Sequence, residues 1–190
     1  MKRIRKLLNL ILILVLAAGL GACSSATNSR TSQARKSVEE FWKYATDFNF
    51  KEASKYTDQI DESQLQALDF ESAPDEYRNL LEVSKGVYEG STLTYSSGEI
   101  AENETEGRLV YTYTGKNPEE YMSYLQNNFS PEDFVSGDFK ASDIIKEIND
   151  SGLESIKTNL TFTLHYDDNE DIWKIDDVYS DDGDFSPWSN

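Results

Sequence analysis

The single cysteine of this 190-residue chain, Cys23, ends an apolar leader at the N-terminus. Four basic residues lie within the first six positions, and an almost unbroken apolar run follows from Leu7 to Leu20. This run is shorter than the roughly 20 apolar residues that span a bilayer, so it is typical of a cleaved signal. A folded part that begins at Cys23 has no second cysteine. We therefore expect packing alone, without an internal disulfide, to hold it together outside the reducing cytosol.

The residues around the cleavage position indicate which kind of signal peptide this is. Leu20-Gly21-Ala22-Cys23 places small residues before the cysteine and resembles the lipobox of bacterial lipoproteins. The resemblance implies cleavage after residue 22, a diacylglyceryl thioether on Cys23 and often acylation of its new amine. Two acyl chains anchor a protein stably, where one is marginal. The resemblance thus implies lipidation at Cys23 and a location on the extracytoplasmic face of the cell membrane. The alternatives are an uncleaved anchor and an ordinary secretory signal.

Removal of residues 1–22 concentrates the acidic charge. The remaining 168 residues carry 14 basic and 35 acidic side chains, a formal net charge of −21. Such a charge repels nucleic acid and anionic lipid headgroups, so we expect neither as a partner. The length suits one domain. We predict lipidated Cys23 and a small, polar, flexible tether over 23–32, a domain over 33–180 and a loose acidic tail over 181–190.

Apolar residues at three- and four-residue spacing predict helices in the first part of the domain. The first helix presents one apolar face, made of Val38, Phe41, Trp42, Ala45 and Phe48. Its start is expected near Ser32, or near Ser37 if Ser37 and Glu40 form a capping box. A short second helix is predicted over 51–58, and a third begins near Ser72 with Pro74 in its first turn.

Two hairpins follow, separated by a helical insert. Segments 93–101 and 108–114 are rich in Thr, Tyr and Val, and the second alternates, so they predict the first hairpin; alternation over 160–166 with a return over 172–179 predicts the second. The insert, at about 117–152, opens with Asn117 as a helix cap and a proline at the first helical position. Helices and antiparallel strands segregated in this way predict an α+β fold.

Two segments resemble a known family. VEEFWKYATDFNFKEASKYTD, residues 38–58, looks like the first two helices of nuclear-transport-factor-2-like domains. TFTLHYDDNEDIWKIDDV, residues 161–178, looks like their final hairpin. The implied fold is a cone in which N-terminal helices pack on a curved antiparallel sheet. The chain also resembles uncharacterised lipoproteins of Gram-positive bacteria, in which such a domain follows a lipobox.

Candidate catalytic residues are few. Some cone-fold members, such as ketosteroid isomerase, are enzymes that place an acid or base in the apolar pocket. The only histidine, His165, alternates with Leu164 and Tyr166 on the more polar strand face, so we predict that it points away from the core. A serine–histidine triad has no other histidine to use. We therefore name no catalytic residue and expect no cofactor.

One turn partly matches the sequence pattern of a calcium-binding loop. The sequence from Asp167 to Asp171 begins like an EF-hand loop, but Ile172 replaces the required glycine and Val178 the bidentate glutamate. A second acidic cluster lies at 181–184. We interpret both as solvated turns and name no metal ligand, with calcium binding as the alternative.

The aromatic residues offer two interpretations. Trp42 and Trp173 lie on apolar faces, so core packing is expected for both, with ligand stacking as the alternative. The tyrosines of 111–113 and 121–124 either line a pocket mouth or cover the sheet.

These observations predict a non-enzymatic, membrane-anchored module of the cell envelope that binds a ligand or protein. Its expected partners are the membrane, through the lipid on Cys23, and a cell-envelope protein or small ligand. The alternative is a small-molecule isomerase or hydrolase that uses the cone pocket. A transport substrate-binding lipoprotein needs two lobes, for which 168 residues are too few.

Overall fold

A computed structural model describes residues 29–60, 69–130, 133–134 and 140–180. The predicted signal over 1–22, Cys23 and the acidic tail over 181–190 lie outside the described residues. The α-helices with both ends in the described part are α1 (Ser29–Thr46), α2 (Phe50–Ala53), α3 (Asp75–Lys85), α4 (Pro118–Asn128) and α5 (Ala141–Asp150). The four strands there are β1 (Thr92–Ser97), β2 (Glu106–Lys116), β3 (Ser155–Asp167) and β4 (Ile172–Ser180). None of the described helices is long and apolar enough to cross a membrane.

The strands form one antiparallel sheet in the order β1-β2-β3-β4. Both predicted hairpins are present, and helices α4 and α5 lie in the connection from β2 to β3, as predicted for the insert. The α+β prediction is thus confirmed. In the second hairpin, Phe162 is opposite Val178 and Tyr166 is opposite Trp173, with a bulge after Thr163. This register places the large apolar side chains of both strands on one face.

Helix α1 begins earlier than predicted. It starts at Ser29, inside the segment expected to be a tether, and Thr31 is completely buried. The Thr31 hydroxyl accepts a hydrogen bond from the backbone N–H of Ile100 at 2.9 Å. A polar residue can therefore be buried here because a distant loop satisfies its hydroxyl. The pair Ser37 and Glu40 lies inside the helix, so it does not form a capping box.

Several other boundaries also differ by a few residues. The helix predicted over 51–58 is the short α2, capped by Asn49, followed by a 3₁₀ turn over Ser54–Tyr56. Strand β1 ends at Ser97, and the next residue, Gly98, adopts a positive φ of 116°, where a Cβ atom would lie 2.5 Å from the carbonyl oxygen of Arg108 on β2. The cap of α4 is as predicted, since the Asn117 side chain accepts hydrogen bonds from two first-turn amides.

The core lies between the helices and one face of the sheet. Trp42 of α1, 4% exposed, makes edge-to-face contacts with Tyr113 and Phe162 at 6.2 and 6.1 Å between ring centroids. Trp173 is completely buried. The expectation that both tryptophans belong to the core is confirmed.

Two arginines attach α1 to two strands of this face. The guanidinium of Arg30 lies 4.1 Å from the ring centroid of Tyr166 on β3, and that of Arg35 lies 4.1 Å from Tyr95 on β1. Cation–π contacts of this kind contribute about 0.5–1 kcal/mol each at partly exposed sites. They hold the helix against β1 and β3.

Candidate functional site

His165 lies on the outer face of the sheet, directly opposite Lys174 on β4. Its side chain is 35% exposed, and its Nδ1 atom is 2.6 Å from Oδ1 of Asp176. The Nε2 atom is 4.0 Å from Oδ2 of Asp58. The prediction that His165 points away from the core is therefore confirmed. Its nearest polar partners are carboxylates of the same surface.

Lys174 is the centre of a cluster of charges beside this histidine. Its Nζ atom lies 3.0 Å from Asp58, 3.1 Å from Asp167 and 3.5 Å from Glu170, and its side chain is only 9% exposed. Burial alone would lower the pKa of Lys174, but hydrogen bonds to Asp58 and Asp167 outweigh it and raise the pKa above its usual value. The backbone N–H of Asn169 and the Lys174 ammonium lower the pKa of Asp167.

The turn Asp167–Asp171 is exposed from Asp168 onward, as expected of a solvated turn, but Asp167 and Glu170 also pair with Lys174. An ammonium group occupies the space between three carboxylates, and the Asp171 carboxylate accepts a hydrogen bond from the hydroxyl of Tyr166. Within the described ranges, no three His, Cys, Asp or Glu side chains are arranged to hold a metal ion. The cluster at 181–184 lies outside those ranges. The ion pair between Lys174 and Asp58 attaches the segment around Asp58 to the β3–β4 hairpin. The neighbouring Thr57 hydroxyl donates a hydrogen bond to the carbonyl of Ile175 on β4.

The face of the sheet that the helices cover is filled by aromatic side chains. Tyr111, Tyr113 and Tyr121 are all at most 1% exposed, so they belong to the core and not to a pocket mouth. Burial raises the pKa of all three. The Tyr113 hydroxyl donates to the carbonyl of Lys116 at 2.9 Å, and the Tyr121 hydroxyl donates to the carbonyl of Val83 at 2.6 Å. Tyr124 is partly exposed and contacts Glu147.

An open cleft of about 400 Å³ lies on the helical side of the molecule instead. It is formed by the ends of α1 and α3, the following 3₁₀ turn over Gly86–Tyr88 and one side chain of α5. The lining residues are Thr46, Asp47, Glu82, Lys85, Gly86, Tyr88, Glu89 and Ile145. Sequence reasoning missed this cleft because it joins three segments that are distant in the chain.

The floor of the cleft is closely packed. A Cβ atom on Gly86 would lie 2.9 Å from both Cγ1 of Ile145 and the hydroxyl oxygen of Tyr121. The carbonyl of Gly86 also accepts a hydrogen bond from Nζ of Lys116 at 2.7 Å. Close packing and this hydrogen bond define the position of the floor, so the cleft is formed before any ligand arrives.

The rim of the cleft carries excess negative charge. Lys85 forms an ion pair with Asp47 at 2.9 Å. Glu82 and Glu89 are exposed and form no ion pair within 4 Å among the described residues. Lys116 lies behind the floor, where burial lowers its pKa while the charge of Glu89 opposes that shift. The arrangement therefore suits a cationic group that enters from solvent.

No family model matches the chain, and neither a curated protein nor a solved structure shows significant similarity to it.

Proposed function

We propose that this protein is a lipid-anchored binding module of the cell envelope, held on the extracytoplasmic face of the membrane by Cys23 and without enzymatic activity. Its partner is a cell-envelope protein or a small ligand. The observation that carries the binding proposal is the cleft: a preformed, closely packed floor below the two exposed carboxylates of Glu82 and Glu89. A rigid concave surface with a few polar groups is the usual form of a ligand site.

The proposal includes a nuclear-transport-factor-2-like cone for the domain. Support comes from the element order, with N-terminal helices before a four-stranded antiparallel sheet and a helical insert between two hairpins. Further support is the packing of Trp42 and Trp173 on the face that the helices cover.

The alternative is an isomerase or hydrolase that uses the cone pocket. Such chemistry needs an acid or base facing an apolar pocket. Aromatic side chains occupy the corresponding face of this sheet, and the only histidine is on the opposite face, beside Asp176. These observations favour binding over catalysis.

Replacement of the cysteine tests the anchor. Cys23→Ala should abolish incorporation of labelled palmitate, and the protein should keep its signal or be released to the medium, because no sulfur remains to carry the diacylglyceryl group. Ser24→Ala is the matched control and should be labelled and fractionate as the wild type does. A Cys23→Ala protein that still carries label in the membrane fraction would contradict the assignment.

Binding is tested with the full-length chain in a nonionic detergent, incubated with cell-envelope fractions at low and physiological salt. We expect binding that weakens gradually with salt, since charge attraction is screened within about 10 Å at 0.1 M. His165→Ala should bind as the wild type does. A turnover activity that disappears with His165→Ala would instead support the enzyme alternative.

A further inference from the structure

We propose that the domain stands upright on the membrane, with the first turn of α1 towards the lipid and the cleft at the opposite end, open to a partner that approaches from outside the bilayer. This inference rests on the proposed function, because it needs the lipid on Cys23. It adds to that function which end of the domain meets the membrane and from which side the cleft is reached.

The chain between the lipidated position and the folded domain is short. Helix α1 begins at Ser29, so only residues 24–28 separate it from Cys23. Even when fully extended, the six steps from residue 23 to residue 29 span at most about 22 Å. A small domain is about 30 Å in diameter, which is more than this limit. The anchor therefore decides which end of the domain lies near the headgroups.

The start of α1 is fixed to one end of the sheet. The Thr31 hydroxyl accepts a hydrogen bond at 2.9 Å from the N–H of Ile100, in the loop after β1. The Arg30 guanidinium lies 4.1 Å from the ring centroid of Tyr166, beside the β3–β4 turn. The N–H of Tyr166 donates to the carbonyl of Thr105 at 2.7 Å, which joins that loop to β3. We call the first turn of α1, the loop 98–105 and the β3–β4 turn the anchored end.

The cleft lies at the other end of α1. This helix has 18 residues, so it is about 27 Å long, and its last residue, Thr46, lines the cleft. The strands run between the same two ends, since β1 begins shortly after Glu89 of the cleft and ends before the loop 98–105. Lys116, the last residue of β2, donates to the carbonyl of Gly86 in the cleft floor at 2.7 Å. The cleft is thus separated from the anchored end by about the length of α1.

The charge of the domain favours the upright arrangement. After removal of residues 1–22 the formal net charge is −21, and anionic headgroups repel such a charge. The exposed carboxylates near the anchored end include those of Glu99, Glu102, Glu104 and Glu106. Because the chain is tethered at this end, repulsion extends the tether and directs the rest of the domain away from the lipid.

The position of the cleft restricts its partner. Transmembrane segments and lipid headgroups stay within the bilayer and its interfaces. They do not reach a cleft that lies about 27 Å beyond the anchored end. The partner that fits is therefore a molecule of the extracytoplasmic space, which meets the cleft from the side away from the membrane.

The test is energy transfer from a fluorophore on the domain to acceptor dyes in the headgroups of phosphatidylcholine vesicles. The lipidated full-length protein carries either Ala101→Cys at the anchored end or Glu89→Cys at the cleft, and both positions are exposed. Because Cys23 is the only native cysteine and its sulfur carries the lipid, the introduced cysteine is the single thiol for the fluorophore. We expect transfer at least about twofold stronger from residue 101, since the two heights differ by about the length of α1. Equal transfer, or stronger transfer from residue 89, would overturn the proposal.

The matched control is the wild-type protein, which should take up no fluorophore. Uptake at Cys23 would show that its sulfur carries no lipid, so the proposed anchor and this inference would fail together. If the wild type takes up none and the two variants transfer equally, this inference alone fails and the proposed function stands.

Vesicles that also contain phosphatidylglycerol test the role of charge. At low salt, transfer from both positions should weaken relative to pure phosphatidylcholine, because repulsion extends the tether, and added salt should reverse the change. Stronger transfer from residue 89 on the anionic vesicles would show that the cleft approaches the lipid, which contradicts an upright domain.

Discussion

Two groups of carboxylates on this molecule have opposite surroundings. At the β3–β4 turn, Asp58, Asp167 and Glu170 surround one largely buried ammonium, that of Lys174. In the cleft, the lining lysine, Lys85, pairs with Asp47, and Glu82 and Glu89 form no ion pair within 4 Å among the described side chains. The same residue types therefore serve the fold in one place and remain available to a ligand in the other.

Burial explains why the ion pairs of the two groups contribute differently to the stability of the fold. An ammonium that is 9% exposed must be paired, because an unpaired buried charge costs several kcal/mol. Lys85 is 45% exposed, so its ion pair gains little over solvation by water. Loss of charge at the turn should change stability, and loss of charge at the cleft should change binding.

The largest expected loss of stability comes from replacing the two core tryptophans, and the smaller effects below are compared with it. Trp173→Ala and Trp42→Ala should each lower the free energy of unfolding by about 3–5 kcal/mol, because each leaves a cavity. Denaturant unfolding of the full-length protein measures this loss. Trp→Phe at the same positions should cost less, since both indole N–H groups are buried without a partner in the described structure. An unchanged denaturation midpoint for either alanine variant would place that ring at the surface.

The next effect compares the two lysines directly. Lys174→Met should lower the free energy of unfolding by about 2 kcal/mol, because hydrogen bonds to charged groups are lost and three carboxylates remain together. Lys85→Met, its matched control, should change it by about 0.5 kcal/mol or less. Equal losses in the two variants would remove the distinction between turn and cleft.

Acidification should lower the stability of the protein in part through Asp167 in the β3–β4 turn. The pKa of Asp167 is lowered from its usual 3.8, so the unfolded state binds its proton first. Its contribution to stability is therefore present above about pH 3.8 and is lost as the pH falls through the lower folded-state pKa. Unfolding curves from pH 7 to pH 2 should show that part of the acid dependence in the wild type and not in Asp167→Asn. Asp168→Asn, at the exposed neighbour, should keep it.

The smallest expected change in stability is at the cleft. Glu82→Gln/Glu89→Gln should alter the free energy of unfolding by no more than about 0.5 kcal/mol, because both side chains are exposed. A loss comparable to that of Lys174→Met would show that these carboxylates stabilise the fold, which would contradict their assignment to a ligand.

Local patterns predicted much of the fold. The cap at Asn117 is contained within a few consecutive residues, and the alternation over 160–166 determines which face of β3 is buried. The start of α1 was not predictable in this way, because Thr31 is satisfied by Ile100, 69 residues later.

The candidate site depends on contacts between distant parts of the chain. Lys174 meets Asp58 across 116 residues, so the sequence showed an acidic turn without the base that neutralises it. Glu170, four residues before Lys174, was the one local signal for that pairing. The cleft combines α1, α3 and α5, and no short motif marks it.

The most direct test of this division is amide chemical-shift mapping of the ¹⁵N-labelled full-length protein during titration with the cell-envelope fraction. The account predicts saturable shifts at the cleft, around Glu82, Tyr88, Glu89 and Ile145, and none at the β3–β4 turn, where Lys174 already satisfies the carboxylates. Shifts concentrated around Asp58 and Asp167 would contradict it.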